Sequence, residues 1–289
     1  MILILGASGY IGNYLFERLK RQGLDVIGTY FKNKKEGMLY FDLERTRLDE
    51  LGLDAQKTGY VIISAAANTK IDNSKIHWDN SRYLNVEKIK GVIDYCFQNG
   101  IVPIYISTDN VFDGRKGRYS ETDQRNPVNC YGRIKYEVED YLLASDKPFI
   151  ILRVGKVFGV RIKDNTLITE MLETLAAKKK MRLAVDQLFT PVYIEELADF
   201  IQSAISGNYR GIFHLASTKP TTRHAIALAI QKRFNLEANN VIACQIDSLG
   251  LLDQRPKLID LDISKYKKLT GCQEKDIEHY LNLIDWKGN

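Results

Sequence analysis

For about its first 150 residues the chain alternates short apolar runs with amphipathic segments, a rhythm that predicts strands interleaved with helices. Apolar runs at 2–5, 25–30, 60–64, 101–106 and 148–152 read as strands. Between them, apolar positions at helical spacing mark helices near 10–22, 80–99 and 131–145. The run Tyr60-Val-Ile-Ile-Ser64 is continuously apolar, as a strand buried on both faces requires. The pattern predicts an α/β fold with a doubly wound parallel sheet. Beyond Arg153 the rhythm loosens into a helix near 166–179, a turn at Thr190-Pro191, a helix from Ile194, a strand at Ile212–Leu215 and a helix near 221–234. Residues 1–153, with about 185–216, are expected to form a nucleotide-binding domain. Residues 154–184 and 217–289 are expected to form a smaller substrate-binding lobe over the carboxyl ends of the strands.

The first alternation carries a further signal. Met1-Ile2-Leu3-Ile4-Leu5 is followed by Gly6-Ala7-Ser8-Gly9-Tyr10-Ile11-Gly12, then by a helical pattern through Leu15, Leu19 and Gln22. Glycine permits a tight turn, close approach of backbone to a pyrophosphate, and close helix–strand packing. A glycine trio alone marks only a turn. Directly after a strand and opening a helix, it marks a dinucleotide-binding βαβ unit of Rossmann type. Gly6, Ser8, Gly9, Tyr10, Ile11 and Gly12 are the expected contacts, with the pyrophosphate on the N–H groups of the helix N-terminus.

The end of the second strand, Asp25-Val-Ile-Gly-Thr-Tyr30, selects the dinucleotide. An enzyme choosing NAD usually places an acid there for the ribose 2′-hydroxyl. None occurs between Gly28 and Lys35; Lys32, Lys34 and Lys35 follow instead. Cations there suit a 2′-phosphate. NADPH is therefore expected ahead of NADH, with Tyr30 and Lys32 at its adenosine end. Asp42-Leu43, after the short strand Leu39-Tyr40-Phe41, is an expected adenine contact.

Composition narrows the function classes. A 45% apolar fraction in 289 residues is ample for a core. The net charge of +5 is mild and dispersed, and Lys178-Lys179-Lys180 reads as a solvated helix end. No dense basic stripe or nucleic-acid motif accompanies it, so no nucleic-acid partner is expected. The longest apolar stretch, Val61 to Ala67, is too short to cross a bilayer, so no membrane partner is expected. Met1 leads straight into a strand, leaving no room for a signal peptide, and the four cysteines lack metal or redox spacing. A cytoplasmic protein without a bound metal is the expectation.

Tyr131 and Lys135 stand four residues apart on an expected helix, so a phenol and an ammonium share one face. An ammonium beside a phenol favours the phenolate and lowers its pKa. A tyrosine tuned this way can deliver a proton to a carbonyl oxygen while a hydride arrives at the carbon. Upstream stands Ser107-Thr108-Asp109, and the Thr108 hydroxyl can hold the same oxygen.

These motifs extend into longer ones: Ser64-Ala-Ala-Ala67, Ile106-Ser-Thr-Asp-Asn-Val-Phe-Asp-Gly114, Tyr119-Ser-Glu-Thr-Asp123 and Pro127-Val-Asn-Cys-Tyr-Gly-Arg-Ile-Lys135. Leu152-Arg153, Val157-Phe-Gly159, Asp186-Gln187 to Thr190-Pro191 and Arg255-Pro256 follow. Over nearly its whole length the chain resembles the extended short-chain dehydrogenase/reductases, and most closely the dTDP-4-dehydrorhamnose reductases. The resemblance implies NADPH-dependent reduction of a 4-keto group on a nucleotide-linked deoxy-sugar. It casts Tyr131 as proton donor and Lys135 as the group that lowers its pKa and binds the nicotinamide ribose. Thr108 would bond the reacting carbonyl, and Asp109 would orient substrate. Ala65, Ala66, Ala67 and Ser107 would lie along the cofactor. Asn110, Lys156, Thr190 and Arg255 are candidate substrate contacts beside Thr108.

Sugar-nucleotide 4,6-dehydratases resemble the same region but carry Thr-Asp-Glu, and here Asn110 replaces the second carboxylate. Reduction is favoured over dehydration, and epimerisation ranks lower because epimerases more often carry small residues for Thr108-Asp109. Val154-Gly155-Lys156 stands where the rhamnose enzymes have Thr-Ser-Trp, which points to a sister branch acting on another deoxy-sugar nucleotide. Helices near 80–99 and 131–145 are those through which extended reductases commonly form homodimers. The alternative from another class is an NADP-binding regulatory subunit, like that of eukaryotic methionine adenosyltransferase, which resembles the same reductases.

Overall fold

Side-by-side pairing of the buried apolar runs builds the sheet that organises the first half of the chain. The structure, a computed structural model, describes residues 1–64 and 70–286. Its strands begin with β1 (Ile2–Leu5), β2 (Val26–Tyr30), β3 (Met38–Tyr40), β4 (Tyr60–Ile63), β5 (Val102–Thr108) and β6 (Ile150–Val154). β7 (Val157–Phe158), β8 (Met181–Ala184), β9 (Val192–Tyr193), β10 (Gly211–Leu215) and β11 (Val241–Cys244) follow. The helices used below are α1 (Tyr10–Arg21), α2 (Ile71–Ile76), α3 (Trp78–Arg82), α4 (Lys88–Gln98) and α5 (Cys130–Leu143). After them come α6 (Leu167–Ala176), α7 (Ile194–Ser206) and α8 (Arg223–Phe234).

The central sheet has seven strands in the order β10-β6-β5-β4-β1-β2-β3. Pairing is parallel from β3 across to β5, with Ile2 beside both Val26 and Tyr60, and Tyr60 beside Val102. The chain runs outward from β1 to β3, then returns to place β4 on the other side of β1. That reversal opens a crevice at the carboxyl ends of β1 and β4, where dinucleotides bind in such sheets. The doubly wound Rossmann arrangement expected from the alternation is therefore present.

Each strand is covered because its helix carries apolar residues at the right spacing. α1 buries Gly12, Leu15, Phe16 and Leu19; α4 buries Ile89, Val92, Ile93 and Cys96. On one face of the sheet Leu3, Leu5, Val61, Ile63 and Tyr105 pack with Ile93, Ile134 and Val138. Each large side chain so buried contributes about 1.5–3 kcal/mol. The helix expected at 80–99 is interrupted: α3 gives way to a π-turn at Tyr83–Glu87 before α4. The buried Asn85 amide there donates to the Ser81 carbonyl at 2.7 Å, and a side chain inserted into the ladder widens the turn.

The described chain forms two compact units. The first comprises Met1–Val111, Asn129–Arg153 and Ala198–Phe213; the second comprises Phe112–Val128, Val154–Leu197 and His214–Asn289. The division expected from sequence puts 112–128 and about 185–216 with the sheet, whereas 112–128, 185–197 and 214–216 belong to the second unit. Tyr119 is held there by backbone bonds with Asp260 and Asp262 at 3.0 and 2.8 Å. β9 pairs with β7, which likewise ties residues before α7 to the second unit. A second parallel pair, β8 with β11, and the helices α6 and α8 complete it. No described helix is long and apolar enough to cross a membrane.

Candidate active site

The glycine turn is held open from β2. Thr29 Oγ1 accepts from Gly6 N at 3.0 Å, Ser8 N donates to the Thr29 carbonyl at 3.3 Å, and Gly9 N to the Gly6 carbonyl at 3.0 Å. Gly6 sits at φ 78°, the left-handed region glycine enters without strain. A Cβ at Gly12 would fall 2.3 Å from the Gly6 oxygen and 2.7 Å from Ser64 Oγ, so α1 can approach the turn only because residue 12 is glycine. No side chain caps α1 at Gly9. The turn lies after β1, beside the strand-order reversal, and its first-turn N–H groups are suited to an anion. The residues fit a dinucleotide pyrophosphate.

Beyond β2, Lys35 Nζ donates to Asn13 Oδ1 at 2.5 Å, bringing a cation to the start of α1. Lys32 Nζ lies 5.8 Å from the Phe31 ring centroid, and Tyr30 packs edge-on against Tyr40 with centroids 5.7 Å apart. The Asp42 carboxylate accepts from Glu44 N at 3.0 Å, and Leu43 packs against the core. Tyr10 is exposed, Ser8 and Ile11 are half-buried. Ala65, Ala66 and Ala67 lie outside the described residues.

The chemical end of the first unit is built from β5 and α5. Thr108 Oγ1 donates to Asp109 Oδ1 at 3.0 Å and accepts from Asn110 N at 3.2 Å. The Asn110 amide donates to the same Asp109 oxygen at 2.8 Å, and its own oxygen accepts from Asn129 Nδ2 at 3.0 Å. Asn129 is the N-cap of α5, its Oδ1 accepting from Gly132 N at 2.8 Å. A continuous hydrogen-bonded path thus joins Thr108 and Asp109 to the first turn of the helix that carries Tyr131. Asn110, expected against substrate, is instead occupied in this path. Asn129 is absent from the residues expected at the site, although an asparagine just before a helix is a strong N-cap signal.

Tyr131 differs from expectation. Burial and the Asp109 charge push its phenol up to about 12, against a lowering hydrogen bond from Thr108. The expected lowering by Lys135 is absent because the ammonium is directed elsewhere. Lys135 Nζ donates to the Ile106 carbonyl at 2.8 Å and lies 4.6 Å from the Tyr105 ring centroid. Burial pulls Lys135 down to about 8, opposed by the charge of Glu139. Asp109, also buried, is pushed up to about 6 by desolvation, against hydrogen bonds from Thr108 and Asn110. Ser107, expected along the cofactor, donates to Glu139, and Arg153 grips the same carboxylate at 2.7 Å.

The remaining candidates lie in the second unit. Lys156 is exposed, and its carbonyl accepts from Val192 N at 3.0 Å. Thr190 is fully buried, its Oγ1 accepting from Leu261 N at 3.3 Å, which leaves it a structural contact. Arg255 Nη1 donates to the Asp253 carbonyl at 2.9 Å. Among the described residues no cluster of histidine, cysteine, aspartate and glutamate is arranged to hold a metal.

Known proteins share this architecture along the whole chain. The profile of the RmlD substrate binding domain family matches residues 1–286. A dTDP-4-dehydrorhamnose reductase of Aggregatibacter actinomycetemcomitans is 28% identical over 300 residues, covering 98% of this chain and 97% of that protein. Methionine adenosyltransferase 2 subunit beta of Danio rerio is 28% identical over 278 residues, covering 93% and 84%. A crystal structure of a hypothetical dTDP-4-dehydrorhamnose reductase from Sulfolobus tokodaii superposes with a TM-score of 0.84 at 29% identity, covering 96% and 98%. With the fold, the glycine turn and the match over 1–286 in agreement, the chain belongs to the RmlD family of the extended short-chain dehydrogenase/reductases, whose enzymes are NAD(P)-dependent oxidoreductases acting on sugar nucleotides.

Proposed function

We propose that this chain reduces a 4-keto group on a nucleotide-linked deoxy-sugar with NADPH, NADH serving less well, and that Tyr131 delivers the proton. The observation that carries the reading is the meeting of Thr108 and Tyr131 under the influence of a buried Asp109. A proton donor must hold its proton until the carbonyl oxygen gains charge. A phenol at about 12 is fully protonated at neutral pH, which suits reduction. Thr108 would turn its single hydroxyl proton from Asp109 to the same oxygen, steadying the negative charge that develops there. Bound NADPH would supply the hydride. Gly6, Ser8, Gly9, Tyr10, Ile11 and Gly12 would hold its pyrophosphate, and Lys135 its nicotinamide ribose. Tyr30, Lys32, Asp42 and Leu43 are assigned to its adenosine, and Lys35, bonded to Asn13, is a further candidate there. Asn110 following Asp109 leaves no second carboxylate for the elimination of water, so a dehydratase is disfavoured.

Lys156 and Arg255 carry the positive charge suited to the substrate's phosphates. We further propose a cytoplasmic homodimer through the surfaces of α4 and α5, for which light scattering at micromolar concentration should give twice the chain mass.

The test follows NADPH absorbance with a panel of nucleotide-linked 4-keto-6-deoxy sugars. Oxidation of NADPH that requires a keto-sugar, and that falls by about a hundredfold or more in Tyr131→Phe with cofactor affinity retained, is the expected result. A second reading is favoured by the 28% identity to the methionine adenosyltransferase subunit. On it, the chain binds NADP and serves a partner enzyme. Tight NADPH binding without turnover on any panel member would support that alternative.

A further inference from the structure

Lys135 is almost wholly withdrawn from water, at 7% exposure, and a buried ammonium sheds its proton readily unless its surroundings hold it. Two elements face it. From β5, the Tyr105 ring centroid lies 4.6 Å from Nζ, and the Ile106 carbonyl accepts from Nζ at 2.8 Å. From α5 itself, Glu139 follows one helical turn later, with its side chain fully buried. Arg153 of β6 holds that carboxylate with Nε 3.1 Å from both oxygens and Nη2 2.7 Å from Oε2, and Ser107 donates to Oε1. The Tyr105 hydroxyl is buried with no hydrogen-bond partner, so what this residue offers its neighbours is its ring.

We propose that Tyr105 and Glu139 are positioning residues acting through Lys135: with the Ile106 carbonyl they form an electron-rich cradle that keeps this amine fixed and charged, while Arg153 and Ser107 fix Glu139. The cradle stands on geometry; its consequence for catalysis rests on the reductase reading. The negative face of an aromatic ring attracts a cation most strongly where water is excluded. A carboxylate one turn away adds charge of the same sign, offset in part by the Arg153 guanidinium that holds it. The direction of the shifts agrees, since the Glu139 charge opposes the loss of the proton from Lys135.

Other ionisable groups stand on this helix and its neighbours, with Arg133, Tyr136 and Asp140 also on α5. Tyr131 shares α5 with Lys135, and Asp109 follows β5 and bears on Tyr131. Of the elements packed on α5, α2 carries Asp72 and Lys75, and α3 carries Asp79 and Arg82, the latter pairing with Glu137 and with Glu87 of the π-turn. On α4, Lys90 lies over the Tyr141 ring, Asp94 bonds the Tyr141 hydroxyl, and Lys88 lies over Tyr83. The charge that bears on Lys135 is that of Glu139.

The experiment titrates Lys135 directly in the full chain labelled with carbon-13 lysine, its resonance identified by its loss in Lys135→Arg. The wild-type midpoint is expected near 8. Tyr105→Phe, which keeps the ring face, leaves the midpoint in place; Tyr105→Leu lowers it by about half a pH unit. Glu139→Gln alone would strand Arg153, so it is combined with Arg153→Met, and that double variant, which removes a guanidinium as well as a carboxylate, lowers the midpoint by about half a unit. An unchanged midpoint in both Tyr105→Leu and the double variant, with folding verified by circular dichroism, overturns the cradle. The alkaline limb of kcat/KM for keto-sugar reduction should move with the midpoint. A limb that stays while the midpoint moves overturns the role of Lys135 in the reaction and leaves the cradle standing.

Discussion

At Tyr131 two opposing influences meet, and the structure decides between them. Spacing on a helix puts Lys135 one turn away, but distance along a helix says nothing of where an ammonium four bonds from its Cβ is directed. Here it is bound to the Ile106 carbonyl, and burial with the Asp109 charge governs the phenol instead. Asp109 also makes stability depend on pH. Its folded pKa is raised, so its contribution is fully present below the unfolded value near 3.8 and is lost as pH rises through about 6. The difference amounts to about 3 kcal/mol between those limits. Asp109→Asn removes the charge and keeps an acceptor for Thr108 and Asn110. Chemical denaturation should show the variant gaining stability on wild type between about pH 4 and pH 6 and holding that gain above it, while keto-sugar reduction falls.

At the scale of elements, periodicity located α1 and α5, and the end of α4, within a few residues because each buries one face against a strand. The cap of α5 was visible in principle, since Asn129 precedes a helical run. Its partner was not, because Asn110 lies 19 residues earlier, before the excursion of 112–128. Asn129→Ala removes the bond to Gly132 N and the donor to Asn110 together. A loss of about 1–2 kcal/mol in urea denaturation is expected. Turnover should fall further than that loss explains, because the start of α5 also aims Tyr131. The π-turn at Tyr83–Glu87 escaped the pattern, since one widened turn shifts helical spacing too little to break an apolar stripe.

For the whole molecule, the order of the sheet places the glycine turn and Thr108 at the carboxyl ends of β1 and β5, with β4 between them. Binding of NADPH to the folded chain alone stabilises it by mass action, by about 2.7 kcal/mol at a hundred times its Kd. Thermal unfolding should therefore rise more with NADPH than with NADH at equal concentration. Lys35→Glu, which puts a carboxylate beside the start of α1, should narrow or reverse that difference. Equal shifts with both nucleotides in wild type would exclude the assigned preference.

The linear order of residues was enough to establish the Rossmann class, the glycine turn and the placing of Tyr131 and Lys135 on one helix, because alternation, turn chemistry and helical spacing are all local properties. Where the units divide was not local: β9 pairs with β7 across more than thirty residues, and Tyr119 bonds with residues near 261. The ion pair of Glu139 with Arg153, the Tyr105 ring over Lys135 and the occupied amide of Asn110 likewise depend on which strand lies beside which helix. Protonation belongs to the same class, because the charged form of a side chain is set by the water and charge that folding removes or brings near it. Sequence named the groups of the site; tertiary packing determined their partners and their protons.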